Sequence, residues 1–182
     1  MTTRPGRKER RLWAAVLTVI VAILAGSIAA GTLVERWGTE AVLGGAFAVG
    51  LGLAAAAVVG TALSGDRGRP LWIALGVVAA AWMIPIRGGL SALERTHLFE
   101  YGLLAVLLHE ALVERRSSGA GPSRPAVVAV VVASLLGWLD EVVQALVPGR
   151  VYDLRDVGVN ALAAGVAVAI VVGLRWARSP RR

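Results

Sequence analysis

The sequence contains no cysteine and is poor in charged and aromatic residues, which make up 17% and 5% of the chain. The absence of cysteine excludes a disulfide scaffold, a Cys-x-x-Cys redox motif and metal sites built on thiolates. The low charge, with 57% hydrophobic residues and a mean hydropathy of +0.70, excludes an ordinary soluble domain of 182 residues. The chain instead has 22 glycines among apolar residues, which is typical of lipid-facing helices that pack on small side chains. The composition therefore predicts an all-α integral membrane protein.

Six apolar segments are candidates to cross a bilayer. The first covers residues 12–34 and holds 23 residues without a charge, which suffices for a hydrocarbon core of about 30 Å. The other predicted spans are 41–63, 71–86, 97–113, 126–147 and 157–176. Pro85 bends or ends the third span, and residues 117–125, which are rich in Ser, Gly and Pro, form the clearest linker. The predicted fold is a polytopic transmembrane helical bundle of about six spans.

The distribution of basic residues predicts the orientation of this bundle. There are 19 Lys and Arg residues against 12 Asp and Glu residues, which gives a net charge of +7. Fourteen of the 19 lie in the two termini and in the second and fourth loops, and five lie in the other three loops. Because basic residues concentrate on the cytoplasmic side of membrane proteins, both termini are predicted to be cytoplasmic. Basic residues between apolar spans indicate contact with anionic lipid headgroups, so no nucleic-acid partner is predicted.

Small residues recur every four positions in two of the predicted spans. The stripe in span six consists of Ala161, Gly165, Ala169 and Gly173. Such a stripe lets helix backbones approach closely, so it predicts the packing face of that span. His109 and Glu110 lie near the end of span four, and their side chains are expected to extend towards the membrane interface.

Ionisable residues are rare inside the predicted spans, and those present gather at one depth. A charge at the bilayer centre costs about 2.5–3.5 kcal/mol, so such residues are expected to face the bundle interior. Six polar residues lie at the outer ends of spans four and five: His97, Glu100, Tyr101, Asp140, Glu141 and Gln144. Their spacings of three or four residues place those of each span on one helix face.

The connection between spans five and six adds further polar groups at the same end. Pro148 and the following glycine predict a tight turn, which holds Arg150 above the mouth of the cluster, where its guanidinium can bind a carboxylate. Asp153 follows, and Asp156 is the predicted N-cap of span six. Asn160 lies one turn into that span. Polar groups from three helices are therefore expected to meet in the outer leaflet.

Two stretches of this region resemble the VanZ-like membrane protein family. They are HLFEYGLLAVLL, residues 97–108, and LLGWLDEVVQALVPGRVYDLRDVGVNALAAGVAV, residues 135–168. The matched positions are His97, Glu100, Tyr101, Asp140, Glu141, Gln144, Pro148, Gly149, Arg150, Asp153, Asp156, Asn160 and Gly165. The resemblance covers about residues 85–170. The chain departs from the pattern at Glu94-Arg95, where many members have Asp-Lys.

The resemblance implies a multi-pass protein of the bacterial plasma (inner) membrane. It implies a VanZ-like domain over residues 85–176, after spans of unassigned role in residues 1–84 and before a basic cytoplasmic tail, residues 177–182. It also implies a connection with the cell envelope and with antibiotic resistance of the teicoplanin type, with which the name-giving member is associated.

Several functions fit the polar residues at the outer end of the bundle. The candidate ligand-binding residues are His97, Glu100, Tyr101, Asp140, Glu141, Gln144, Arg150, Asp153, Asp156 and Asn160. The favoured interpretation is a non-enzymatic cavity that binds a glycopeptide antibiotic, a lipid-linked cell-wall precursor or a lipid headgroup. The alternative is an intramembrane enzyme acting on a lipid-linked substrate, with Asp140 or Glu141 as general acid or base and His97 as proton shuttle. A transporter is a further alternative, although its acids would be expected nearer the midplane.

A bound divalent cation is a variant of these interpretations. His97, Glu100, Asp140 and Glu141 offer nitrogen and oxygen ligands, but a single histidine and no cysteine make a weak pattern. No metal and no cofactor are therefore assigned from the sequence, and the lipid bilayer is the partner it predicts most directly.

Overall fold

The computed structural model describes residues 5–38, 92–148 and 150–178. Within these residues the chain is helical and contains no strand, as the composition predicts. The helices are α1 (Arg7–Trp37), α2 (Ala92–Ser117), α3 (Pro125–Gln144) and α4 (Leu154–Arg178). The predicted spans 41–63 and 71–86 lie outside the described residues.

Each of the four helices contains a stretch that is long and apolar enough to cross a membrane. The stretches are Arg7–Ala29, Thr96–Ser117, Pro125–Gln144 and Leu154–Gly173. Large apolar side chains lie exposed along the helices, among them Leu17, Val21, Val131, Leu135, Leu162 and Val166. In water such a surface would be unfavourable, whereas lipid tails solvate it well. The four helices are therefore compatible with a lipid bilayer, as predicted.

Contacts at the helix ends define the directions of the helices. α2 and α4 run parallel, because His97 contacts Asn160 near their starts and Glu110 contacts Arg175 near their ends. α3 packs against both and runs antiparallel to them. α1 packs mainly on α2 and is antiparallel to it. As a result, α1 ends and α2 begins at the same end of the bundle.

The core between the helices consists largely of small aliphatic side chains. Buried members include Leu104, Leu108, Ala129, Ala133, Ala164 and Val168. The stripe predicted in span six does not form this packing face in the described part of the chain. Ala169 is exposed, and a Cβ added at Gly165 or Gly173 meets no atom within 4 Å. α4 is turned so that Asn160, with Ala164 and Val168 on the same face, points inward, since a buried amide must find hydrogen-bond partners inside the bundle.

The connection between α3 and α4 begins and ends at different residues from those predicted for the connection between spans five and six. α3 ends at Gln144, three residues before the predicted end at 147. The N–H groups of Ala145 and Leu146 donate to the carbonyls of Glu141 and Val143, which completes the last turn. The chain then leaves the helix because proline disfavours the helical conformation of the residue before it, and Pro148 follows.

α4 begins at Leu154, three residues before the predicted start at 157. The Asp153 Oδ1 accepts a hydrogen bond from the N–H of Arg155 at 2.8 Å, which is the geometry of an N-cap. The prediction that Asp156 is the N-cap is therefore wrong. Asp156 lies in the first turn of α4, where a negative charge interacts favourably with the helix dipole.

The linker between α2 and α3 begins with a glycine-based cap. Gly119 has a φ of +82°, its N–H donates to the Arg116 carbonyl at 3.0 Å, and the Ala120 N–H donates to the Arg115 carbonyl at 3.2 Å. This pair of bonds is a Schellman motif, which satisfies the last carbonyls of a helix and requires a left-handed residue. Pro125 then starts α3, so the sequence folds into the short reversal that places α3 antiparallel to α2.

Three ion pairs join the helices at the end of the bundle where α1 begins. The pairs are Lys8–Glu114 (3.0 Å), Glu9–Arg115 (2.9 Å) and Glu110–Arg175. We call this end of the bundle the basic end. The side chain of His109 is buried with 4% exposure, which differs from its predicted extension to the interface, and Glu110 bonds to Arg175 of α4.

Candidate functional site

The end of the bundle opposite the basic end contains a buried cluster of polar side chains from three helices. We call it the polar cluster: His97, Tyr101, Asp140, Glu141, Gln144 and Asn160. None of these residues is more than 7% exposed. The predicted convergence of spans four, five and six is therefore present in the fold, and it is a closed cluster.

His97 and Asn160 connect α2 to α4. The His97 Nδ1 lies 3.2 Å from the Asn160 Oδ1, and the Asn160 Nδ2 donates to the Gly137 carbonyl of α3 at 3.5 Å. Because the Asn160 Nδ2 faces the Gly137 carbonyl, its Oδ1 faces His97 and can only accept. The His97 Nδ1 therefore carries a hydrogen and donates a hydrogen bond to this oxygen. The ring of Tyr101 lies 6.1 Å from that of His97 and covers it from one side.

Gly137 allows this contact, and sequence reasoning missed it. A Cβ at position 137 would lie 2.7 Å from the Asn160 Cβ, so only glycine leaves room for the asparagine. Gly137 lies on the buried face of α3 with Asp140, Glu141 and Gln144, at spacings of three, four and seven residues. A glycine at these spacings from intramembrane polar residues is the signal that would have identified it.

Gln144 links the two acids of α3. Its Nε2 donates to the Asp140 Oδ2 at 3.0 Å and to the Glu141 Oε1 at 3.3 Å, as the i+4 and i+3 spacing allows. The Glu141 Oε2 accepts from the backbone N–H of Asp153 at 3.3 Å. The Asp140 Oδ1 is buried and has no hydrogen-bond partner among the described residues.

Arg150 covers the cluster from the loop. Its N–H donates to the Val147 carbonyl at 3.1 Å, in agreement with the turn that the Pro-Gly sequence predicts. Its guanidinium donates to the Gln144 Oε1. Within the described part of the protein, Arg150 therefore bonds to a neutral amide, and whether it binds a carboxylate of a ligand stays a prediction.

The remaining predicted residues lie around the cluster. Glu100 is partly exposed on α2, near His97 and Asp140. Asp153 is exposed and contributes its backbone to the site, and Asp156 is half-buried in the first turn of α4. The fold thus gathers all ten predicted residues at one end and seals six of them inside.

Two chemical properties follow from this geometry. The His97 Nδ1 and the Glu141 Oε1 lie 4.0 Å apart, so a small movement brings an imidazole and a carboxylate into hydrogen-bond contact. A second property concerns metal binding. One donor atom from each of three residues, His97, Asp140 and Glu141, lies within 4.8 Å of the other two. In the described part of the chain, this is the group of side chains close enough to hold a metal ion.

Comparisons of the chain with models of protein families, with curated proteins and with solved structures found no match. The polar cluster is therefore interpreted from its own residues and geometry.

Proposed function

We propose that this is a VanZ-like protein of the bacterial plasma membrane that binds the anionic group of a cell-envelope ligand at the rim of the polar cluster. The observation that carries the proposal is the contact of the Arg150 guanidinium with Gln144, a member of the polar cluster. The ligand classes that fit are a lipid-linked cell-wall precursor, a phospholipid headgroup and a glycopeptide antibiotic, and binding of the last connects the protein with teicoplanin-type resistance.

The charge of Arg150 supports an anionic ligand. Its guanidinium bonds to the carbonyl of Gln144, and among the described residues it makes no ion pair. A guanidinium matches the two oxygens of a phosphate or carboxylate, and this bond is strengthened where water is partly excluded. Arg150 is half-buried, so one side of it remains accessible to a ligand.

The closed state of the cluster indicates how the other residues contribute. The residues of the polar cluster are 0–7% exposed, so Gln144 is held among buried neighbours. Gln144 in turn holds the loop that carries Arg150, through its bond to the guanidinium. Asp153 and Tyr152 are exposed beside Arg150 and offer further polar contacts to a headgroup. Binding at the rim therefore requires no opening of the bundle.

The test uses purified protein in nanodiscs and native mass spectrometry. The probes are an undecaprenyl-linked wall precursor, phosphatidylglycerol and teicoplanin, each added separately, so that the three sources of the anionic group are distinguished. Arg150→Gln is expected to weaken binding about tenfold or more, since a charge-assisted hydrogen bond contributes about 1.5–3 kcal/mol.

Arg124→Gln is the matched control, because Arg124 is exposed and precedes α3 at the basic end. It is expected to leave the affinity unchanged. Equal affinities of the two variants, or no binding of any of the three probes, would contradict the proposal.

The second candidate is an intramembrane enzyme that acts on a lipid-linked substrate. The distance of 4.0 Å between His97 and Glu141 favours it, because such a pair can exchange a proton with a reacting group. Glu141→Gln and His97→Ala should then abolish cellular activity although the variants are folded and inserted. Full activity of both variants would refute this role.

A further inference from the structure

We propose that His97, Asp140 and Glu141 bind one divalent transition-metal ion, of the Mn²⁺ or Zn²⁺ class, inside the polar cluster. Their donor atoms, one from each residue, lie within 4.8 Å of one another. Donors around such an ion lie about 2.0–2.2 Å from it, and hence about 3.4 Å apart in a tetrahedral site. Closing the three donors from at most 4.8 Å to this spacing requires each pair to approach by about 1.4 Å or less. The site goes beyond the proposed function, which places the ligand above the cluster on Arg150.

The charges of the cluster favour a cation. Asp140 and Glu141 are adjacent and at most 1% exposed, so as carboxylates they would repel each other without solvent to screen them. In the described part of the chain, His97 at 4.0 Å is the ion-pair partner of Glu141, and Asp140 has none. A divalent cation between the two carboxylates balances both charges.

The hydrogen bonding of Asp140 gives a second, independent reason. Its Oδ2 accepts from Gln144, whereas its Oδ1 is buried and accepts no hydrogen bond of ordinary geometry from the described residues, although the Tyr101 hydroxyl lies near this carboxylate. A buried acceptor without a donor is rare in folded proteins and indicates an ion or a water. The carboxylate that carries this oxygen also belongs to the set of donors that lie within 4.8 Å of one another.

Each proposed ligand is held by a further residue, as metal ligands in proteins commonly are. The His97 Nδ1–H donates to the Asn160 Oδ1 at 3.2 Å, which leaves the lone pair on its Nε2. Gln144 donates to a carboxylate oxygen of Asp140 and of Glu141, at 3.0 and 3.3 Å. These bonds fix the tautomer of the histidine and the orientation of both acids.

The donor types indicate the class of metal. Mg²⁺ and Ca²⁺ prefer sites made wholly of oxygen, whereas an imidazole with carboxylates suits Mn²⁺, Zn²⁺ and neighbouring ions. Three protein donors also leave a coordination position for a water. We therefore expect Zn²⁺ and Mn²⁺ to bind in preference to Mg²⁺.

The test measures metal bound to the purified full-length chain in nanodiscs. After treatment with a chelator, the protein is equilibrated with Mn²⁺, Zn²⁺ or Mg²⁺, and the bound metal is counted by plasma mass spectrometry and, for Mn²⁺, by electron paramagnetic resonance. We expect one Mn²⁺ or Zn²⁺ per chain. His97→Gln and Asp140→Asn should lower the affinity about 100-fold or more, and Asn160→Ala about 10- to 100-fold.

His109→Gln is the matched control, because His109 is a buried histidine of the same helix that lies outside the polar cluster. It is expected to retain the metal, and so is Arg150→Gln, which separates this proposal from the one for the anionic ligand. A wild-type chain that binds no more metal than the background level would overturn the proposal. This result does not depend on whether any variant folds. Equal binding by His97→Gln and His109→Gln would overturn it as well.

Discussion

Replacing Gly137 by alanine perturbs the contact that holds α3 against α4 at the polar cluster. The added Cβ meets the Asn160 Cβ at 2.7 Å and the Asn160 Nδ2 at 3.1 Å. Carbon atoms in contact normally lie about 3.5–4.0 Å apart, so Asn160 or one of the helices must shift by about 1 Å. Because Asn160 is fully buried and bonded to both neighbouring helices, such a shift also strains its bond to His97.

The expected change in the free energy of unfolding is the sum of three effects. Overpacking costs about 1–3 kcal/mol, and loss of the bond between His97 and Asn160 costs about 0.5–1.5 kcal/mol. Alanine is favoured over glycine in a helix by about 0.8–1.0 kcal/mol. Gly137→Ala should therefore destabilise the protein by about 0.5–3.5 kcal/mol. Gly165→Ala should stabilise it by about 0.8–1.0 kcal/mol, since a Cβ there meets no atom of the described residues within 4 Å.

The assay is reversible unfolding of both variants in mixed micelles, followed by circular dichroism and tryptophan fluorescence. The comparison cancels the helix preference that the two substitutions share, and it leaves the steric and hydrogen-bond cost at Gly137. If Gly137→Ala is as stable as Gly165→Ala, the close approach of α3 and α4 is not what holds Asn160 in place, and the reasoning is refuted.

Three further predictions concern the ends of the bundle. Glu9→Gln should lower stability by about 0.5–1 kcal/mol, because it removes the negative charge that lies 2.9 Å from Arg115, and exchanging the two charges should recover part of the loss. Thermal unfolding of the single and double variants measures this, and equal stability of all of them would contradict it. Asp153→Ala should cost about 1 kcal/mol in the same assay through loss of the N-cap of α4, and an unchanged midpoint would show that the cap contributes nothing. Reporter fusions after residues 90 and 120 should report the outside and the cytoplasm respectively, and an outside location of residue 120 would reverse the predicted orientation of the polar cluster.

The local features of the fold were predictable because they depend on neighbouring residues. Apolar runs predicted the helices, and the i+3 and i+4 spacing placed Asp140, Glu141 and Gln144 on one helix face, where Gln144 bonds to both acids. The helix boundaries at Gln144 and Leu154 were each missed by three residues. The turn at Pro148 and the cap at Asp153 decide those boundaries, and hydropathy does not detect either of them.

The contacts between helices were less predictable. The small-residue stripe through Gly165 pointed to a packing face of α4, but the hydrogen bonds of Asn160 turn a different face inward. Arg150 was expected to bind a carboxylate of the protein or of a ligand, and within the protein it contacts the amide of Gln144. Such choices depend on which groups remain unsatisfied once the helices are packed, and spacing along the chain does not contain that information.

The sequence by itself determined that the protein consists of apolar helices with polar residues confined to their ends, because hydrophobicity and helical periodicity are properties of short segments. Only the tertiary structure decided that His97, Asp140, Glu141 and Asn160 lie in one closed cluster, with Gly137 as the residue that admits Asn160. His97 and Asn160 are 63 positions apart, and their contact depends on how three helices rotate and slide to satisfy buried polar groups together. That requirement belongs to the bundle as a whole and to none of its helices alone.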